Sequence, residues 1–61
     1  MKYRRLHDSD VWHWCTNCED WPDTPGTYEE IDVPSGRRPS SGELDNECRS
    51  KEDAGTCTTT S

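Results

Sequence analysis

A small, metal-stabilised α+β fold is predicted for this sequence by three observations. The apolar complement is too thin to fold such a chain alone, a Cys15-Thr16-Asn17-Cys18 turn closes a β-rich run, and a helix-forming stretch carries Cys48 after a Pro/Gly/Ser loop. At 61 residues the chain is one domain at most, and folding at this size hides only about 60% of the surface of the unfolded chain. Only 26% of residues are hydrophobic, and there is no Phe. A charged fraction of 33%, a net charge of -6 and a mean hydropathy of -1.28 approach the disordered regime, but Trp12, Trp14 and Trp21 crowd around the first cysteine pair, and disordered segments are poor in aromatics. A constraint beyond the core is therefore expected, and the four cysteines are the candidates to supply it.

Residues 3–14 carry a mixed pattern, anchored by Tyr3 and Leu6, that ends in the β-forming run Val11-Trp12-His13-Trp14. Cys15-Thr16-Asn17-Cys18 reads as a tight turn, and Trp21-Pro22-Asp23-Thr24-Pro25-Gly26 is too rich in breakers for a helix. Tyr28, Ile31 and Val33 suit a second strand over residues 27–33, which would complete a β-hairpin. Residues 34–42 read as a linker-like loop without packing of its own. Residues 43–54 hold good helix formers, with Ser41 or Asp45 to cap the start and Gly55 to stop the end. One mini-domain over residues 1–57 and a flexible polar tail over 58–61 are expected.

The chemistry concentrates in the cysteines. A C-x-x-C turn sets two thiolates at a separation that suits two corners of a tetrahedral zinc site, and Asp45-Asn46-Glu47-Cys48 repeats the Cys15–Cys18 spacing with a carboxylate in the first place. Cys15, Cys18 and Cys48 are expected zinc ligands. For the fourth, Cys57 is preferred because thiolate is the softer donor and Gly55 lets the chain turn back. Asp45, three residues before Cys48 at a helix start, comes second. His13 shares a strand face with the turn, and His7 is a further candidate.

Two disulfides are the alternative use of four cysteines, each adding roughly 2 to 4 kcal/mol, and compartment decides between the two. The basic start Met1-Lys2-Tyr3-Arg4-Arg5 is followed by His7, Asp8, Ser9 and Asp10 where a signal peptide needs an apolar run. A cytoplasmic location is expected from this, and with it reduced thiols that bind metal. No apolar stretch approaches the ~20 residues that would span a bilayer. Redox catalysis at Trp14-Cys15-Thr16-Asn17-Cys18 is disfavoured, because Glu19 and Asp20 would raise the thiol pKa and no surrounding βαβ unit fits.

The run Trp12-His13-Trp14-Cys15, Asn17-Cys18, Trp21-Pro22, then Tyr28-Glu29-Glu30, then Gly42-Glu43-Leu44 with Asn46-Glu47-Cys48, and finally Gly55-Thr56-Cys57, resembles a group of short uncharacterised bacterial proteins with a W-H-[FW]-C-x-N-C … G-E-L-C-N-E-C … G-x-C pattern. The resemblance spans most of residues 12–57 and implies a zinc-ribbon-like or treble-clef-like fold: a zinc knuckle, a β-hairpin and one short C-terminal helix. It implies nothing about activity. The group has cysteine where this chain has Asp45, so Asp45 is a carboxylate ligand, Cys57 has taken over, or the metal is held weakly or lost.

An excess of 13 acidic over 7 basic side chains opposes nucleic-acid binding, despite the small basic clusters at Arg4-Arg5 and Arg37-Arg38. No catalytic constellation stands out and no enzyme activity is expected. The expected function is that of a small zinc-binding interaction module whose partner is another protein. A disulfide-stapled secreted effector and an acidic inhibitor occluding a basic target are the alternatives.

Overall fold

The computed structural model describes residues 1–34 and 36–60. Its elements are β1 (Lys2–Leu6), β2 (Val11–Trp12), β3 (Tyr28–Asp32), β4 (Glu43–Leu44) and α1 (Asn46–Ala54), a small α+β arrangement of two sheets and one short helix. Among the described residues no helix is long and apolar enough to cross a membrane.

β1 pairs with β3 antiparallel, with Lys2 opposite Asp32, Arg4 opposite Glu30 and Arg5 opposite Glu29. This register sets a basic strand against an acidic one. Arg4 Nε donates to Glu30 at 2.7 Å, and Arg5 pairs with both Glu29 and Asp10. Such cross-strand pairs are worth roughly 0.2 to 1 kcal/mol each, and a slip of one residue would lose all of them together. The basic N-terminal segment is thus a strand held by charge complementarity, where the apolar pattern shows only Tyr3 and Leu6.

The expected hairpin between the Val11 and Tyr28 segments does not form. β2 instead pairs parallel with β4, Val11 opposite Glu43 and Trp12 opposite Leu44. Residues 43 and 44, expected to open the helix, are therefore strand. The two sheets meet at a bridge in which Arg4 and His13 exchange backbone hydrogen bonds of 2.8 Å each way. β1 is consequently bonded on both edges.

Alternation along these strands divides the domain into two faces. Tyr3 and Arg5 lie with Trp12 and Trp14: the Tyr3 and Trp14 rings are 5.6 Å apart, and the Arg5 guanidinium stacks 4.4 Å from Trp12. Tyr3, Trp12, Trp14, Val33 and the three cysteines Cys15, Cys18 and Cys48 form the buried core. Leu6, Val11 and His13 line a cleft on the opposite face.

The loop over residues 34–42 was expected to lack packing and is instead tied down at its described residues. Tyr3 donates to the Arg37 carbonyl at 3.2 Å, Arg38 pairs with Glu52 and stacks 5.0 Å from Trp14, and Trp12 Nε1 donates to the Ser41 carbonyl at 2.7 Å. Gly42 is required for that last contact. Its φ is +84, and a Cβ there would stand 2.8 Å from both the Asp10 carbonyl and Trp12 Nε1.

Helix α1 starts where Asp45, in extended conformation, accepts the Cys48 N–H at 2.9 Å. It ends at Gly55, whose left-handed φ of 75 lets Gly55 and Thr56 bond back to the Glu52 and Lys51 carbonyls in a Schellman motif. Beyond it, Thr16 N donates to Thr58 O at 2.6 Å and Lys2 N to Thr60 O at 2.8 Å. The side-chain amide of Asn17 donates to the Thr56 carbonyl and accepts from the Thr58 N–H, so the tail is bonded to the Cys15–Cys18 turn on two sides. Ser61, the end of the expected flexible tail, and Ser35, within the expected loop, lie outside the described residues.

Candidate metal centre

The turn after β2 closes with Cys18 N donating to Cys15 O at 3.0 Å. It sends its two sulfurs in different directions. Because the tail is drawn back over the turn by Thr16 and Asn17, Cys57 reaches Cys15, and the two are joined in a disulfide. Cys18 points the other way, toward the N-terminus of α1, where Cys48 sits on the first turn; both keep free, buried thiols.

Two further side chains converge on these thiols. His13 follows β2 and, by strand alternation, projects to the same face as Val11; it is buried at 6% exposure. Asp45 is the helix N-cap, so its carboxylate is fixed over the first turn that carries Cys48. The cap spacing of three residues is what brings the Asp45 oxygen and the Cys48 sulfur within 4.8 Å of each other. His13, Cys18, Asp45 and Cys48 each offer one donor atom, all within 4.8 Å of one another, and together could hold a metal ion.

The distances fit the donors. Tetrahedral zinc with bonds of about 2.0 to 2.3 Å separates neighbouring ligand atoms by roughly 3.3 to 3.8 Å. Here Cys18 Sγ lies 3.8 Å from His13 Nδ1 and 3.5 Å from Asp45 Oδ2, and His13 Nδ1 lies 3.7 Å from Asp45 Oδ2. A site collapsed onto direct hydrogen bonds would bring His13 Nδ1 and the Asp45 carboxylate to about 2.7 to 2.9 Å. The Cys18 thiol donates to Asp45 Oδ2, and Cys48 Sγ completes the group within 4.8 Å.

The electrostatics also favour a cation. Burial pushes the Cys18 thiol up to about 12, with the Asp20 backbone amide opposing the rise and the Cys48 thiol and the Asp45 charge adding to it. Burial also raises the Cys48 thiol, the backbone around Cys15 and Trp14 opposing it and Asp45 again adding. Burial would raise the Asp45 carboxyl too, yet the Cys48 N–H, the His13 ring and the Cys18 thiol hold it below its ordinary value. A fixed negative charge therefore faces two thiols that stay protonated on their own. A divalent ion reverses this, since coordinated thiols are deprotonated outright and binding releases their protons.

The expected ligands Cys15, Cys18, Cys48 and Cys57 are thus divided between two arrangements. Cys18 and Cys48 are in the cluster; Cys15 and Cys57 are bonded to each other, and neither offers a thiolate while that bond stands. Cys57 does turn back at Gly55, but onto the turn residue Cys15. The places beside Cys18 and Cys48 go to Asp45 and His13, which the sequence offers as further candidates. His7 is exposed in the turn after β1 and takes no part. The disulfide and the cluster touch, the Cys15 sulfur lying 3.4 Å from the Cys48 carbonyl oxygen.

A cleft of about 310 Å³ opens on the cluster, lined by Leu6, Ser9, Val11, His13, Asp20 and Asp45. No family model, curated protein or solved structure matches the chain.

Proposed function

We propose that this chain is a small zinc-binding protein, in which the ion held by His13, Cys18, Asp45 and Cys48 stabilises a module that binds another protein. The observation that carries the metal reading is the convergence of one imidazole, two thiols and one carboxylate, all within 4.8 Å of one another in a largely buried position. Zinc is the ion of choice because it accepts nitrogen, sulfur and oxygen donors together and needs no fixed d-electron geometry. A treble-clef-like description is supported by the supply of ligands from a turn and from the first turn of a helix. The parallel β2–β4 pairing takes the place of the usual hairpin in that description. The acidic balance of the chain supports a partner with a basic surface and opposes nucleic acid.

Cobalt(II) titration of the disulfide-intact protein tests the metal reading. One equivalent should produce thiolate charge-transfer bands and the visible absorption of a four-coordinate ion, and zinc should displace it. His13→Ala and Cys48→Ser should abolish tight binding, while Cys15→Ser/Cys57→Ser should retain it. Retained tight binding in His13→Ala and Cys48→Ser would overturn this ligand set.

A second reading is favoured by the Cys15–Cys57 disulfide, which persists in oxidising compartments: a stapled effector acting outside the cytoplasm. The first reading places the protein in the cytoplasm. Cell fractionation separates them, recovery of the chain from the cytoplasm supporting the first and its recovery outside the cytoplasm the second.

A further inference from the structure

The cleft beside the cluster reaches only part of it. Of the four donor residues, His13 and Asp45 line the cleft, whereas Cys18 and Cys48 do not. An ion at the centre is therefore sealed on its sulfur side and approachable on its nitrogen and oxygen side. Zinc sites whose four protein ligands are all enclosed are structural, and those with an approachable position accept an outside ligand.

Asp45 is the ligand equipped to give way. Its Oδ2 accepts the Cys48 N–H at 2.9 Å as the helix cap, so the carboxylate has a charge-assisted partner besides the ion. The Asp45 side chain is 16% exposed against 7% for His13, which places the carboxylate nearer the opening. The two sulfurs have no comparable exit, since both are buried in the core.

Charge selects the incoming ligand. A divalent ion with two thiolates and one carboxylate is net anionic, Asp20 adds a further acid to the cleft wall, and the chain as a whole carries -6. An anion entering this cleft meets like charge at every step. A neutral donor that replaces the carboxylate leaves the ion with two thiolates and no net charge. Leu6 and Val11 give the cleft apolar walls, and Ser9 a hydroxyl, which suits a flat heterocycle more than a strongly hydrated ion.

Building on the metal reading above, we infer that the centre is an open site that takes a small neutral nitrogen heterocycle of the imidazole type through the Leu6/Val11/Ser9 cleft, in exchange for the Asp45 carboxylate. The exchange is a substitution at the ion: the heterocycle nitrogen donates its lone pair as the Asp45 oxygen leaves the ion with its own, and no electron is transferred.

Cobalt-loaded protein tests this with imidazole and azide as probes. Imidazole should shift the visible ligand-field bands saturably while the thiolate charge-transfer band remains. Azide should need at least about tenfold higher concentration, the ratio that ~1.4 kcal/mol of like-charge repulsion produces. Ser9→Trp, which fills the cleft from a loop, should leave cobalt uptake intact and weaken the imidazole response by about tenfold or more, on the same scale. Asp45→Asn, which keeps a capping oxygen but removes the charged competitor, should strengthen it. Cobalt bands with no imidazole response, loss of the charge-transfer band as imidazole is added, azide binding as tightly as imidazole, or an unchanged response in Ser9→Trp would each overturn this inference alone. Failure of the wild-type protein to form cobalt bands would overturn the metal reading, and this inference with it.

Discussion

Cys15 and Cys18 belong to one turn, yet their sulfurs are put to opposite uses. Cys15 is drawn to the tail side, where Thr16 and Asn17 hold residues 56–58 over the turn, and it bonds to Cys57. Cys18 faces the helix cap, where Asp45 and Cys48 wait with His13 beside them. The first pair closes the chain covalently; the second offers a cavity to a cation. What separates them is which neighbours each sulfur meets, and spacing along the chain does not encode that. A C-x-x-C turn makes a two-thiolate clamp only when both sulfurs turn to the same side.

The largest effect should come from breaking the cluster side. Structural zinc sites contribute on the order of 10 kcal/mol or more to folding, so Cys48→Ser should abolish zinc-dependent stabilisation, seen as a melting temperature that no longer changes with chelator. The disulfide side should matter less. Its closed loop spans a separation of 42 residues, for which loop entropy gives about 4 kcal/mol, and Cys57→Ser should lower the unfolding free energy in urea by about that amount while zinc uptake persists. If Cys57→Ser removed zinc as well, the division between the two pairs would fail.

A smaller loss is expected at Gly42, which holds the loop against Trp12. Gly42→Ala places a side chain at positive φ and within 2.8 Å of the Asp10 carbonyl, a cost of about 1 to 3 kcal/mol, measurable as a fall in melting temperature with metal content unchanged. The smallest effect should be that of Glu52, which joins Arg38 and Trp14 over the core. The Arg38 guanidinium holds the Glu52 carboxyl below its ordinary value, so the pair stabilises the fold above the usual carboxylate range and stops doing so as pH falls through the lowered value. The melting temperature of Glu52→Gln should therefore lie slightly below that of the wild type at neutral pH and converge with it in acid. Both side chains are more than a third exposed, which keeps the difference small.

Much of this architecture was legible in the chain, and the exceptions share a cause. Gly55, the Asp45 cap and the breaker-rich run after Trp21 act through their own backbone preferences, so the helix end and the loops follow from local chemistry. Strand β1 was obscured because Lys2, Arg4 and Arg5 find their reason in Glu29, Glu30 and Asp32, more than twenty residues away. The β2–β4 pairing depends on Gly42 admitting Trp12, a contact with no sequence pattern of its own. The site was half legible for the same reason. Asp45 and Cys48 are related by helix geometry and could be paired in advance, whereas the place of His13 is fixed by its bridge to Arg4 and that of Cys57 by the Asn17 clamp.

Native mass spectrometry of the protein under non-reducing conditions, with disulfide mapping on the same sample, tests the division of the cysteines most directly. One zinc per chain together with a single Cys15–Cys57 disulfide is the expected result. A zinc-free chain with a second disulfide between Cys18 and Cys48, or a zinc-bound chain with all four cysteines reduced, would contradict it.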